Sequence, residues 1–86
     1  MKEFKYTITA PVGIHARPAG LLVKEVKKHA SAIKIANKDG KSADAKKLLA
    51  LMGLGIRQGD EITVTVEGDD EAEAAAAIEA FLKANL

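Results

Sequence analysis

The chain opens on a period of two. From Lys2 to Ala10, Phe4, Tyr6, Ile8 and Ala10 share one side, and Lys5, Thr7 and Thr9 the other, the alternation of a strand with one buried face. Pro11 and Gly13 break that pattern and open a loop. From Ala16 to about Lys28 the period becomes helical: Ala19, Leu22, Val23 and Val26 form one stripe, and Lys24, Lys27 and Lys28 lie off it. Ala32 to Ala36 predicts a second strand with Ile33 and Ile35 inward. Asn37-Lys38-Asp39-Gly40 reads as a hairpin turn into a short third strand at Lys41 to Asp44. Lys46 to Met52 predicts a short helix with Leu48, Leu49, Leu51 and Met52 around much of its circumference, ended by Gly53 and Gly55. Arg57-Gln58-Gly59-Asp60 turns into a fourth strand, where Ile62, Val64 and Val66 alternate with Thr63 and Thr65 before Gly68-Asp69 closes it. A last helix from about Glu71 to Ala84 would bury Ala74, Ala77, Ile78, Phe81 and Leu82, with Asp70 and Glu73 spaced as a capping pair.

The order β-α-β-β-α-β-α, with short connections, suits an α+β open-faced sandwich: one four-stranded, mainly antiparallel sheet with three helices on one face. Residues 1–86 make a single domain, too short to hold a catalytic and a binding domain side by side. Aromatics are 3% of the chain, so the core must be aliphatic and alanine-rich. With no cysteine, disulfides, thiolate metal sites and thiol catalysis are all excluded.

Thirteen basic residues against 12 acidic ones give a net charge of +1, which is no nucleic-acid footprint. The distribution is uneven, with bases dominating Arg17 to Lys47 and acids Asp60 to Glu79. The first half is therefore suited to steering toward an acidic protein partner. No apolar run approaches a membrane span and no signal-peptide pattern opens the chain, so a soluble cytoplasmic protein without membrane insertion is expected.

The candidate chemistry is concentrated in Gly13-Ile14-His15-Ala16-Arg17-Pro18. Proline is favoured in the first helical turn, where its missing N–H costs nothing. His15 is therefore expected at or just before a helix N-terminus, whose free N–H groups and dipole attract phosphate. The same dipole disfavours imidazolium, and neutral imidazole is the nucleophilic form. His29, near the end of that helix, reads as a surface or capping residue. Asp69, Asp70, Glu71 and Glu73 are better explained by helix capping than as a metal cluster, so no metal or cofactor is expected.

The hexapeptide resembles the active-site signature of the HPr family, the histidine-containing phosphocarriers of the bacterial sugar phosphotransferase system. Thr7 to Pro11, Gly40-Lys41-Ser42-Ala43, Leu54 to Gly59 and Gly68-Asp69-Asp70-Glu71 are also similar to the family, so the resemblance spans essentially the whole chain. It implies that His15 accepts a phosphoryl group from phosphorylated enzyme I, in the family on Nδ1, and passes it to IIA components of sugar permeases. Arg17 would bind the phosphoryl oxygens, with Ala16 and Pro18 completing the phosphate site. Gly20, Lys24, Lys27, Lys47, Leu48, Leu49, Leu51 and Met52 would form the partner surface, part of the leucine run being core. The carrier is expected to be a monomer and to turn over no small molecule itself. Lys47 stands where the family's Gram-positive branch has a regulatory serine, and Ser42, on the third strand, is no obvious substitute. Three alternatives stay open: a paralogue serving a nitrogen-type or operon-specific phosphotransfer chain, a small phosphate-binding hydrolase, and a binder that has lost phosphotransfer.

Overall fold

The computed structural model describes residues 1–14 and 16–86. Its elements follow the expected order: β1 (Lys2–Thr7), α1 (Ala16–Val26), β2 (Ala32–Ala36), β3 (Ser42–Asp44), α2 (Leu48–Met52), β4 (Glu61–Glu67) and α3 (Glu71–Asn85). The sheet order is β1-β4-β2-β3, and every neighbouring pair is antiparallel. β4 therefore lies between β1 and β2, with α1 crossing from one to the other.

The register explains which face is buried. Phe4 stands opposite Val64, and Val64 opposite Ile35. One step along, Lys5 faces Thr63 and Thr63 faces Ala36. Because successive strand side chains alternate, the first row turns toward the helices and the second toward water. Ile33, Ile35, Ile62, Val64 and Val66 accordingly meet Ala19, Leu22 and Val26 of α1, Leu51 of α2, and Ala74, Ile78 and Leu82 of α3 in one buried cluster. Each such Leu, Ile or Val side chain contributes about 1.5–3 kcal/mol relative to exposure.

Several element ends differ from the sequence expectation. β1 stops at Thr7: the Ile8 N–H still donates to the Asp60 carbonyl in line with the β4 pairing, but those of Thr9 and Ala10 donate to the carbonyl of Leu86. α1 ends at Val26, leaving Lys27 and Lys28 just beyond it, and β3 begins only at Ser42. α2 starts after Lys47, whose backbone is extended (φ −111°, ψ 106°) and whose side chain makes no cap. Val23, Ala77 and Phe81 are half-buried rather than fully enclosed. Asn37 pins the β2–β3 turn: its amide Oδ1 accepts from the N–H groups of Asp39 and Lys41, and its Nδ2 donates to the Leu54 carbonyl at 2.9 Å.

The expected capping pair is not formed. Asp70 makes no side-chain cap to α3. Its carboxylate reaches back to the α1–β2 connection, accepting the Ala30 N–H at 3.0 Å, the Ser31 N–H at 2.9 Å and the Ser31 hydroxyl. Ser31 is fully buried, and a buried polar residue needs partners more than an exposed helix end does. The Ser31 hydroxyl, followed by the Ala30 N–H, holds the Asp70 carboxyl below its ordinary value. Nor is His29 on the surface: its side chain is 10% exposed, with Nε2 3.1 Å from Glu25 Oε2 and Nδ1 3.8 Å from Asp70 Oδ2. The hydrogen bond with His29, helped by Lys28, pushes the Glu25 carboxyl down.

Candidate functional site

The β1–α1 loop is held by its backbone. Gly13 is buried with φ +70°, and a Cβ there would stand 2.4 Å from the Ile56 carbonyl oxygen and 2.7 Å from Arg57 Cα. Only glycine fits such an approach. The next residue, Ile14, donates its N–H to the same Ile56 carbonyl at 3.2 Å and sinks into the core at 8% exposure. Two residues further on, Ala16 begins α1, which is fastened by the fully buried Ala19 and Leu22. His15 itself lies outside the described residues.

The first turn of α1 contains no acidic residue to neutralise its N–H groups. Ala16 and Arg17 are exposed there. Pro18 has no N–H to offer an anion, so its contribution to a phosphate site is confined to shaping the helix start. The guanidinium of Arg17 forms no ion pair among the described residues. An acid-free helix start carrying an exposed arginine is chemically suited to a tetrahedral anion from solvent. A depression of about 180 Å³ lies on the open sheet face, lined by Met1, Ala32, Lys34, Thr65 and Glu67.

The expected partner surface divides. α1 and α2 pack against each other, which brings Gly20 and Lys24 of α1 into one region with α2, Lys27 following α1 and Lys47 preceding α2. The three lysines are exposed. Leu49 is 83% exposed, and Leu48 and Met52 are partly so. Leu51, expected to contribute to this surface, is instead completely buried and belongs to the core. Sequence reasoning passed over two residues. Leu21 of α1 is 45% exposed, and its position off the buried stripe was the available signal. Arg57 stands against Gly13 through a contact between residues 44 positions apart, which no local pattern reveals. The Glu25–His29–Asp70 cluster belongs to the far end of α1, a helix about 16 Å long, and takes no part in this site. Among the described residues no group of three His, Cys, Asp or Glu side chains is arranged to hold a metal ion, and no helix is long and apolar enough to cross a membrane.

Comparison with known proteins matches residues 2–84 to the family model described as the PTS HPr component phosphorylation site. The chain belongs to the HPr family. It is 47% identical over 85 residues to the phosphocarrier protein HPr of Mycoplasma genitalium, covering 99% of this chain and 97% of that one. Among solved structures it is similar to HPr-C-His from Thermoanaerobacter tengcongensis, with a TM-score of 0.92 and 39% identity over 99% of this chain and 94% of that one. It is also similar to an HPr dimer from the same organism, with a TM-score of 0.76 and 39% identity over 98% and 95% of the two chains. The HPr structures share the open four-stranded antiparallel sheet with three helices. The family is that of the HPr phosphocarrier component of the phosphotransferase system.

Proposed function

We propose that this HPr-family protein carries a phosphoryl group on His15, receiving it from phosphorylated enzyme I and delivering it to IIA components of sugar permeases. In each transfer the P–N bond to the donor histidine breaks as a P–N bond to the acceptor forms. The acceptor ring attacks through its unprotonated nitrogen, and its other nitrogen keeps its proton. Little covalent machinery is needed beyond positioning and charge stabilisation. Arg17 would supply charge-assisted hydrogen bonds to the phosphoryl oxygens, and the first N–H groups of α1 the remaining donors.

The observation that carries this reading is the backbone lock at Gly13 and Ile14 immediately ahead of an acid-free helix start. Such a lock holds the chain at residues 13 and 14 before a partner arrives, and positioning is most of what this chemistry requires. Leu48, Leu49 and Met52, rimmed by Gly20, Lys24, Lys27 and Lys47, would dock the donor and the acceptor in turn. A carrier that must offer one face to successive partners is best served as a cytoplasmic monomer. Lys47 has no hydroxyl, so serine phosphorylation does not operate at that position.

The test is a reconstituted relay of purified protein, phosphoenolpyruvate, magnesium, enzyme I and a IIA acceptor, with the phosphoryl group labelled. Label should appear on this protein and then move to the acceptor. Label that never appears, with enzyme I active on a control carrier, or that appears and is not passed on, would refute the proposed role.

A further inference from the structure

We propose that Arg57, whose backbone lies against the loop that leads to His15, is a second anion-binding guanidinium of the phosphoryl site; the proposal rests on the phosphohistidine reading above. The Cβ position of Gly13 lies 2.7 Å from Arg57 Cα, and Ile14 is hydrogen-bonded to Ile56 at 3.2 Å. His15 follows Gly13 by two residues, so its backbone is within about 7 Å of Gly13 whatever conformation it adopts. An arginine side chain spans a comparable distance.

The turn that bears Arg57 is itself fixed. Gly59 N–H donates to the Ile8 carbonyl at 2.8 Å, Ile8 N–H to the Asp60 carbonyl at 3.0 Å, and Gln58 Nε2 to the Thr9 carbonyl at 3.1 Å. Arg57 therefore starts from a pre-positioned backbone beside the loop.

Charge completes the case. Asp60 is the carboxylate nearest in the chain, and it is already engaged. Its Oδ2 accepts the Arg57 backbone N–H at 3.0 Å, and its Oδ1 lies 3.6 Å from Lys38 Nζ. The guanidinium of Arg57 is exposed and forms no ion pair among the described residues. A planar, permanently charged fork held next to a phosphate site and left without a partner is suited to two phosphoryl oxygens at once.

The deciding measurement needs no partner protein. Phosphoramidate modifies histidine directly: its P–N bond breaks, ammonia leaves with the protons its nitrogen already carried, and the phosphoryl group bonds the imidazole nitrogen. Wild type, Arg57→Gln, Arg57→Lys and His15→Ala are treated in this way, and the 31P signal is titrated. Arg57→Gln should raise the titration midpoint of the phosphohistidine by about 0.5–1 pH unit, Arg57→Lys should restore most of the difference, and His15→Ala should lack the signal. Melting of the unmodified Arg57→Gln protein should match wild type, because the side chain is exposed. An unchanged midpoint in Arg57→Gln overturns the proposal, including the case in which only the KM for enzyme I rises and the guanidinium serves a partner's carboxylate. A protein that shows the Arg57-dependent midpoint but is not phosphorylated by enzyme I upholds the proposal and refutes the donor assignment. Absence of any phosphohistidine at residue 15 refutes both.

Discussion

Substituting Gly13 by alanine tests whether the loop before His15 is held by the approach of two backbones. Gly55 supplies the control. Its φ is +64° against +70° for Gly13, yet nothing lies within 4 Å of a Cβ built on it. In Gly55→Ala the left-handed backbone costs about 1–2 kcal/mol, partly offset by the reduced freedom of the unfolded chain, for a net loss of about 1 kcal/mol. Gly13→Ala carries the same terms and a collision, because its Cβ would fall 2.4 Å from the Ile56 oxygen and the two segments must part by about 1 Å to reach ordinary contact. That movement breaks the Ile14–Ile56 hydrogen bond, worth about 1 kcal/mol. It also loosens Ile14 and Ile56, which are 8% and 3% exposed, at about a further 1 kcal/mol. Gly13→Ala should therefore be less stable than Gly55→Ala by about 2 kcal/mol, or about 8–16 °C in Tm. A domain of this length has about 4–13 kcal/mol in hand, so both variants should fold. Urea unfolding followed by circular dichroism gives the difference, and phosphorylation by enzyme I, measured well below the melting range, should be slowed by up to about 100-fold in Gly13→Ala alone. Equal stability of the two variants would refute the reasoning.

The leucine run separates core from docking surface: Leu51→Ala should cost about 2–5 kcal/mol, whereas Leu49→Ala should change stability by less than about 0.5 kcal/mol while raising the KM for enzyme I. Equal destabilisation by the two would contradict the burial assignment. Lys47 occupies the cap position of α2 with a suitable extended backbone but no acceptor, so Lys47→Ser should raise stability by about 0.5–1 kcal/mol in a thermal melt, and no gain would count against it. Asp70 has a folded-state pKa below its ordinary 3.8, so its contribution is fully present above that value and fades as pH falls through the lower folded value. Urea midpoints taken from about pH 6 to about pH 3 should fall less steeply for Asp70→Asn than for wild type, and parallel curves would show that the carboxylate is not what senses pH there.

The strands and helices were legible because their periods are clean: Ile62, Val64 and Val66 alternate without a break, and Ala19, Leu22 and Val26 keep helical spacing. The start of α1 at Ala16 was legible from a local signal, Pro18 in its first turn. What escaped depends on distant contacts. The alternation of β1 continues through Ala10, but the N–H groups of Thr9 and Ala10 are claimed by Leu86. Asp70 has the spacing of a cap, yet its partner Ser31 is 39 residues away. In the five-residue α2 the apolar positions nearly encircle the axis, so no period singles out Leu51 as the buried one. The closeness of Arg57 to Gly13 is tertiary altogether, and nothing beside either residue announces it.

The central claim is that residue 15 is where the phosphoryl group resides. Intact mass after incubation with phosphoenolpyruvate, magnesium and enzyme I, for wild type and His15→Ala, addresses it most directly. The account predicts one added phosphoryl group on wild type, lost in acid and retained in base, and none on a His15→Ala protein that melts like wild type. An equal mass gain in both proteins, or none in wild type while enzyme I phosphorylates a control carrier, would contradict it.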